Sequence, residues 1–357
     1  MISTADLRAL YTKTLVDVYR ERTVPTEFLQ NLFPTVVVPT KTTSIEVERF
    51  GERVAVDVVR GTEGNRNTFS RSTEKIFEPP FFREYFDMTE LDLYDRVIGS
   101  QGNANKPLFL SLVNEGAERL GKLVDKIRRA KEVQCSQVLE TGIVTMTQGA
   151  TATINYNRKA ASIVNEGAGQ YFTDAIDPFS KFEAGCNFLR KVGRSADGVF
   201  NAILGADALS ALLANTKFTT RQNLFNMALD AVQGPVRNGA GATFHGIITA
   251  GSYKVQLWAY PQFYDLNTGT DAAPVWVSTP YWNPKKVVML PIQPRFKMVH
   301  CAVPMLIGQP GQLPQQGEYV MQEFLDTRRA KHVLDVQSAP VPIPVAVDTI
   351  YTFQAIA

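Results

Sequence analysis

Apolar residues recur at Val113, Ala117, Leu120, Val124 and Ile127, and again at Val138. Gaps of three and four make one face of an α-helix, so the stretch 107–142 is predicted to be helical, opened by Pro107 and stopped by Gly142. Such a helix spans roughly 50 Å at about 1.5 Å per residue, longer than most globular folds need. Its opposite face carries Glu118, Arg119, Lys122, Asp125, Lys126, Arg128 and Arg129. Gly116 and Gly121 each weaken it by about 1 kcal/mol relative to Ala, so packing along its length must hold it.

Ahead of this helix the period changes. Ser3 or Thr4 can cap a short amphipathic helix with Leu7, Leu10, Tyr11, Leu15 and Val18 on one face; such a helix must dock on its own chain or on a neighbour. Residues 36–38, all valine, suit one buried strand. Ile45 and Val47 then alternate with Glu46 and Glu48, and Val54, Val56 and Val58 alternate again after a turn at Gly51, which predicts hairpin strands within 42–60. Residues 60–78 are polar, nearly empty of aliphatic side chains and unable to bury themselves. The aromatic stretch 79–88 reads as a return strand, so 41–90 is expected to project as a hairpin with a polar tip.

Beyond the long helix, 143–148 and 151–156 predict a hairpin turning at Gly149-Ala150. Residues 160–178 read as irregular. Asp177-Pro178 opens a helix to about Val192, 198–204 is a buried-type strand, and 206–215 is a short helix. Strands are expected at 246–249, 254–260 and 286–290, with 264–285 loop-rich. The region from 178 to about 305 thus reads as a compact α/β unit. Residues 319–325 are strand-like, and the prolines of 339–344 confine that run to an edge or a polyproline-like path. Val345, Val347, Tyr351 and Phe353 share one strand face, with the 143–156 hairpin as the expected partner.

Composition narrows the chemistry. With 45% hydrophobic and 20% charged residues a core is readily built, and a formal net charge of +2 lacks the basic bias of a dedicated nucleic-acid binder. Three separated cysteines, Cys135, Cys186 and Cys301, make neither a disulfide framework nor a zinc pattern. No glycosylation sequon occurs, no segment is apolar enough to span a membrane, and Asp6, Arg8 and Lys13 interrupt any signal-peptide core. Gly116–Lys122 has phosphate-loop spacing, but Leu123 stands where Ser or Thr should hold magnesium, and the segment lies inside a helical pattern. His245, His300 and His332 form no metal motif; Cys301 beside His300 would point to the opposite side of a strand; Glu183 reads as a solvated helix carboxylate. No catalytic residue, cofactor or metal ligand is assigned. The basic cluster Arg128, Arg129 and Lys131 meets DNA, acidic residues such as Glu46 or Glu63 of an adjacent loop, or plain solvent; the cluster Arg328, Arg329, Lys331 and His332 reads the same way.

The order of elements resembles the major capsid proteins of tailed bacteriophages, the Hong Kong 97-type fold, and among them the phage lambda major head protein branch. The residues that carry the resemblance are Thr42 through Glu48, Pro79-Pro80 before Asp87 through Asp92, Arg128-Arg129 with Val138 through Gly142, and Ala196 through Gly205. It implies an α+β fold with an N-terminal arm at 1–40, an extended loop at 41–90 lying over a neighbouring subunit, a peripheral domain at 91–177 around a spine helix at 107–142, an axial domain at 178–305, and return strands of the peripheral domain at 306–357. It implies hexamers and pentamers forming an icosahedral head in the virion, assembled in the host cytoplasm with a separate scaffolding protein, a portal and a decoration protein, with packaged DNA on the inner face and no membrane. Glu46, Arg60, Glu63, Arg66, Arg71, Arg128, Arg129 and Lys131 are the expected inter-subunit contacts. Lys75 is the only lysine between 45 and 85, and no residue match supports a covalent crosslink. A nanocompartment shell of the same fold and an α/β enzyme with an appended arm are the alternatives; formation of very large particles separates shell from enzyme.

Overall fold

The structure is a computed structural model and describes residues 25–47, 73–77, 79–89, 108–145, 153–224, 236–237, 240–269, 273–303, 316–326 and 331–357. From its first described residues the chain packs on itself. Phe28, Leu29 and Phe33 are buried, and Phe33 stacks on Phe296 with centroids 4.7 Å apart. Residues 28–33 therefore contribute to their own subunit's core. β1 (Thr35–Val37) is not the buried strand expected: it is an edge strand with Val36 and Val37 exposed.

β2 (Thr43–Val47) pairs antiparallel with β3 (Thr73–Phe77), Ile45 opposite Lys75. Residues 54–58, the expected partner, lie outside the described residues. β4 (Phe82–Thr89) is not the return strand of that ladder; it joins a C-terminal strand described below. α1 (Leu108–Thr141) runs 34 residues. It stops at Gly142, whose φ of 70° is the left-handed conformation glycine adopts freely, and whose N–H donates to the Val138 carbonyl at 2.9 Å. A side chain at 142 would also collide with Arg158. β5 (Ile143–Thr145) and β6 (Thr153–Asn155) form the expected hairpin.

β7 (Ile163–Val164) precedes α2 (Pro178–Lys191), which Asp177 caps by accepting from Phe179 N–H. β8 (Val199–Leu204) and α3 (Ala206–Ala214) follow as expected. α4 (Thr216–Leu224) has no apolar stripe to announce it; Asn215 caps it through Lys217 and Phe218, and Phe218 stacks on Phe179 at 5.2 Å. Then come β9 (Val236–Arg237), β10 (Thr243–Ala250), β11 (Tyr253–Ala259), β12 (Phe263–Asn267), β13 (Trp276–Pro280), β14 (Lys286–Pro291), β15 (Phe296–His300), β16 (Val320–Asp326), β17 (Lys331–Ser338), β18 (Pro340–Pro344) and β19 (Tyr351–Gln354). The stretch 264–285 is thus largely a hairpin, β12 with β13, rather than loop.

The central sheet has seven strands in the order β7-β19-β14-β8-β11-β10-β9. After Lys286, β14 is apolar because it is buried on both faces: Val287 and Met289 share a core with Phe182 of α2, and Val288 and Leu290 share another with Val138 and Leu139 of α1. β19 pairs with β14 and β7, not with the β5–β6 hairpin. Tyr351 and Phe353 seat their rings 5.3 Å from Phe188 and 5.9 Å from Phe182, an apolar surface that two three-residue strands cannot offer. A second sheet, β1-β15-β18, lies against α1, with the proline-rich β18 at its edge as its missing N–H groups require. The third, β16-β17-β4, packs Val336 against Val124 and Ile127 of α1.

Candidate functional site

The apolar stripe of α1 breaks between Ile127 and Val138, and Lys131, Glu132 and Cys135 occupy the core positions there. Glu132 has no exposed surface. It accepts hydrogen bonds from Leu29 N–H at 2.8 Å, Gln30 N–H at 3.1 Å and Tyr260 O–H at 2.7 Å. Burial pushes its carboxyl above the ordinary value, and those donors oppose the push. Tyr260 has one proton, which goes to Glu132, so Thr26 donates to the Tyr260 oxygen at 2.7 Å. One carboxylate thereby ties the entry segment, the helix and β11 together.

Lys131 is only 3% exposed, with Nζ 2.6 Å from Glu318 and 4.7 Å above the Tyr319 ring. Burial opposes ionisation of Glu318, yet Lys131 holds its carboxyl below the ordinary value. His300 lies behind this pair, fully buried, its pKa pushed down to about 4 by burial and then by Lys131, with Glu318 opposing. Arg158 closes the far end of α1. It donates to the carbonyls of Leu139 at 2.7 Å, Ser162 at 3.0 Å and Ile350 at 3.2 Å, and burial lowers its pKa to about 10.

These contacts correct the expected surface chemistry. Lys131 faces neither solvent nor DNA but its own chain. Arg128 is held by Glu27 at 3.4 Å and Asp125 at 3.7 Å, and lies over Tyr319. Arg129 is half-buried on the same helix. Glu46 lies on β2, in register with Glu74. Arg60, Glu63, Arg66 and Arg71 lie outside the described residues, as do Arg328 and Arg329; Lys331 and His332 begin β17. Gly116–Lys122 lies inside α1, so the phosphate-loop spacing is helical. Cys135, Cys186 and Cys301 are buried free thiols, and burial pushes Cys186 up to about 12 and Cys301 up to about 11, which disfavours the reactive thiolate. Among the described residues no group of three or more His, Cys, Asp or Glu is placed to hold a metal, and no helix is long and apolar enough to cross a membrane.

The open surface is apolar instead. On the β12–β13 hairpin Phe263 is 58% exposed, Val275 55%, Trp276 60% and Val277 45%. Among the described residues its two strands pair only with each other, and an isolated two-stranded hairpin is marginal in water. Tyr85 of β4 and Met321 of β16 are likewise exposed. Sequence reasoning missed this surface because neither strand has one clean buried face.

The sequence profile of the family described as phage major capsid protein E matches residues 11–355. No curated protein matches the chain. Among solved structures, a prophage protein of E. coli CFT073 assigned as its capsid protein is 13% identical, with a TM-score of 0.57 over 99% of both chains. The mature capsid of bacteriophage PhiM1 is 12% identical, with a TM-score of 0.49 over 95% of this chain and 89% of that one. An encapsulin of Synechococcus elongatus is 14% identical, with a TM-score of 0.44 over 97% and 95%. The architecture is the α+β Hong Kong 97-type fold, built to join copies of itself into a shell. With nearly its whole length matched, the chain belongs to the phage major capsid protein E family and is a major capsid protein, a structural component of the virion.

Proposed function

We propose that copies of this chain form hexamers and pentamers that close into an icosahedral head around the phage genome. The observation that supports this most is the β12–β13 hairpin, whose exposed apolar side chains, and strand edges unpaired among the described residues, suit a contact with a further copy. In this reading the seven-stranded sheet with α2, α3 and α4 is the axial domain, with β19 as its C-terminal strand. α1 with the β16-β17-β4 and β1-β15-β18 sheets is the peripheral domain. Residues 41–77 reach over the neighbouring subunit, and Glu46, Arg60, Glu63, Arg66, Arg71 and Arg129 exchange charges across that contact. Each exposed pair contributes about 0–1 kcal/mol, weak enough to correct during growth and sufficient in hundreds of copies. Assembly takes place in the host cytoplasm on a separate scaffolding protein, with a portal at one vertex, decoration outside and DNA on the inner face. The role is structural, without catalysis.

Negative-stain electron microscopy with sedimentation velocity tests this. Rings of five or six, tubes or closed shells are expected. A discrete monomer or dimer at high concentration, with scaffolding protein present, overturns it.

A further inference from the structure

The two register sets of the hairpin differ. One holds Phe263 with Pro280, Asp265 with Ser278 and Asn267 with Trp276; the other holds Tyr264 with Thr279 and Leu266 with Val277. Directly opposed residues share a face, so Phe263 and Trp276 flank Asp265 on one side, while Leu266 and Val277 lie on the other. Tyr264 roots the second face on Tyr281 at 4.9 Å. The first face has exposed rings at both ends and an exposed carboxylate between them. Segment 261–284 contains two acidic residues, Asp265 and Asp271, and no Lys or Arg.

The described chain begins beside the root of this hairpin. Thr26 Oγ1 lies 2.7 Å from the Tyr260 oxygen, and the Thr26 side chain crowds Gly241. The Gly241 carbonyl accepts from Gln262 Nε2 at 3.1 Å, and Gln262 directly precedes β12. Residues 1–24 carry the sequence pattern of an amphipathic helix, with Leu7, Leu10, Tyr11, Leu15 and Val18 as its stripe and Arg8 bordering that stripe; Lys13, Arg20 and Arg22 are nearly balanced by Asp6, Asp17 and Glu21. As a helix, 7–18 measures roughly 16 Å. The step from Phe263 to Asn267 measures roughly 14 Å. Residues 19–24 reach up to roughly 20 Å, enough to turn back onto the hairpin.

We propose that residues 7–18 of the same chain dock as an amphipathic helix on the Phe263–Asp265–Trp276 face, with the apolar stripe on the two rings and Arg8 beside Asp265, while 19–24 form the connection. The Leu266–Val277 face stays open for a neighbouring copy, so the intrachain contact precedes assembly. This assignment stands apart from shell formation, because it is read on the unassembled subunit.

Hydrogen exchange followed by mass spectrometry on the unassembled full-length chain tests it. Protection is expected across 7–18 and is lost in the variant Phe263→Ser with Trp276→Ser, while amides of β8 and β14 stay protected and report an intact fold. Deleting residues 1–24 should in turn raise exchange across 261–280. Unchanged protection of 7–18 in the double variant overturns the proposal. So does protection that appears only in assembled particles, which makes a second copy the occupant, or full exchange of 7–18 in the unassembled wild type.

Discussion

The middle of α1 buries charge, whereas the β12–β13 hairpin exposes aromatic and aliphatic side chains. Each reverses the ordinary distribution of a folded subunit, and for different reasons. Glu132 and Lys131 are tolerated inside because every strong contact they need comes from their own chain: two backbone N–H groups, a tyrosine and a glutamate. The hairpin has no comparable partner among the described residues of its own subunit. Buried charge here marks where the fold is complete; exposed apolar surface marks where it awaits another segment or copy.

Substitution separates the two regions. Glu132→Ala strands the Leu29 and Gln30 N–H groups and is expected to cost about 3–5 kcal/mol, read as a lowered urea midpoint. Glu132→Gln should cost less, since it keeps one acceptor. The next effect is one of pH. The pKa of His300 falls from 6.5 unfolded to about 4 folded, so its contribution is complete above pH 6.5. As pH drops through 4 the unfolded chain takes up the proton first, and up to about 3 kcal/mol is lost. His300→Gln should flatten that part of the urea-midpoint profile between pH 7 and pH 4. Lys131→Met should cost about 1 kcal/mol, because half-exposed Glu318 regains water, and should raise the pH at which His300 titrates. Smallest for stability is Leu266→Ser with Val277→Ser, within about 0.5 kcal/mol. That pair should nevertheless abolish particles in the electron microscope, and normal shells would remove the contrast between the two regions.

Much of the fold was legible because it is local. The spacing of apolar residues marked α1, Asp177-Pro178 marked the start of α2, and the short apolar run at 286–290 marked β14 as a strand. Gly142 marked the helix stop. The break in the α1 stripe between Ile127 and Val138 was visible as well, and it was the one available signal for the buried charges. α4 was not legible, since a single phenylalanine and a capping asparagine hold it. β12, β13 and β17 were missed because their strand identity rests on partners rather than on one buried face. Of the expected contact residues, Lys131 is buried against Glu318 of its own chain, and no local pattern separates an inward lysine from an outward one.

The sequence by itself determined the long helix, its stop at Gly142, the start of α2 and the strands with a clear apolar pattern, because backbone preference and the three-to-four or two-residue period are set by near neighbours. Only the tertiary structure decided that β4 pairs with β17, that β19 lies beside β14, and that Glu132 gathers groups 103 and 128 positions away in Leu29 and Tyr260. A strand's alternation says which face is apolar but not which edge it meets. A charge becomes affordable inside only when distant donors converge on it, and that convergence exists only once the chain has folded.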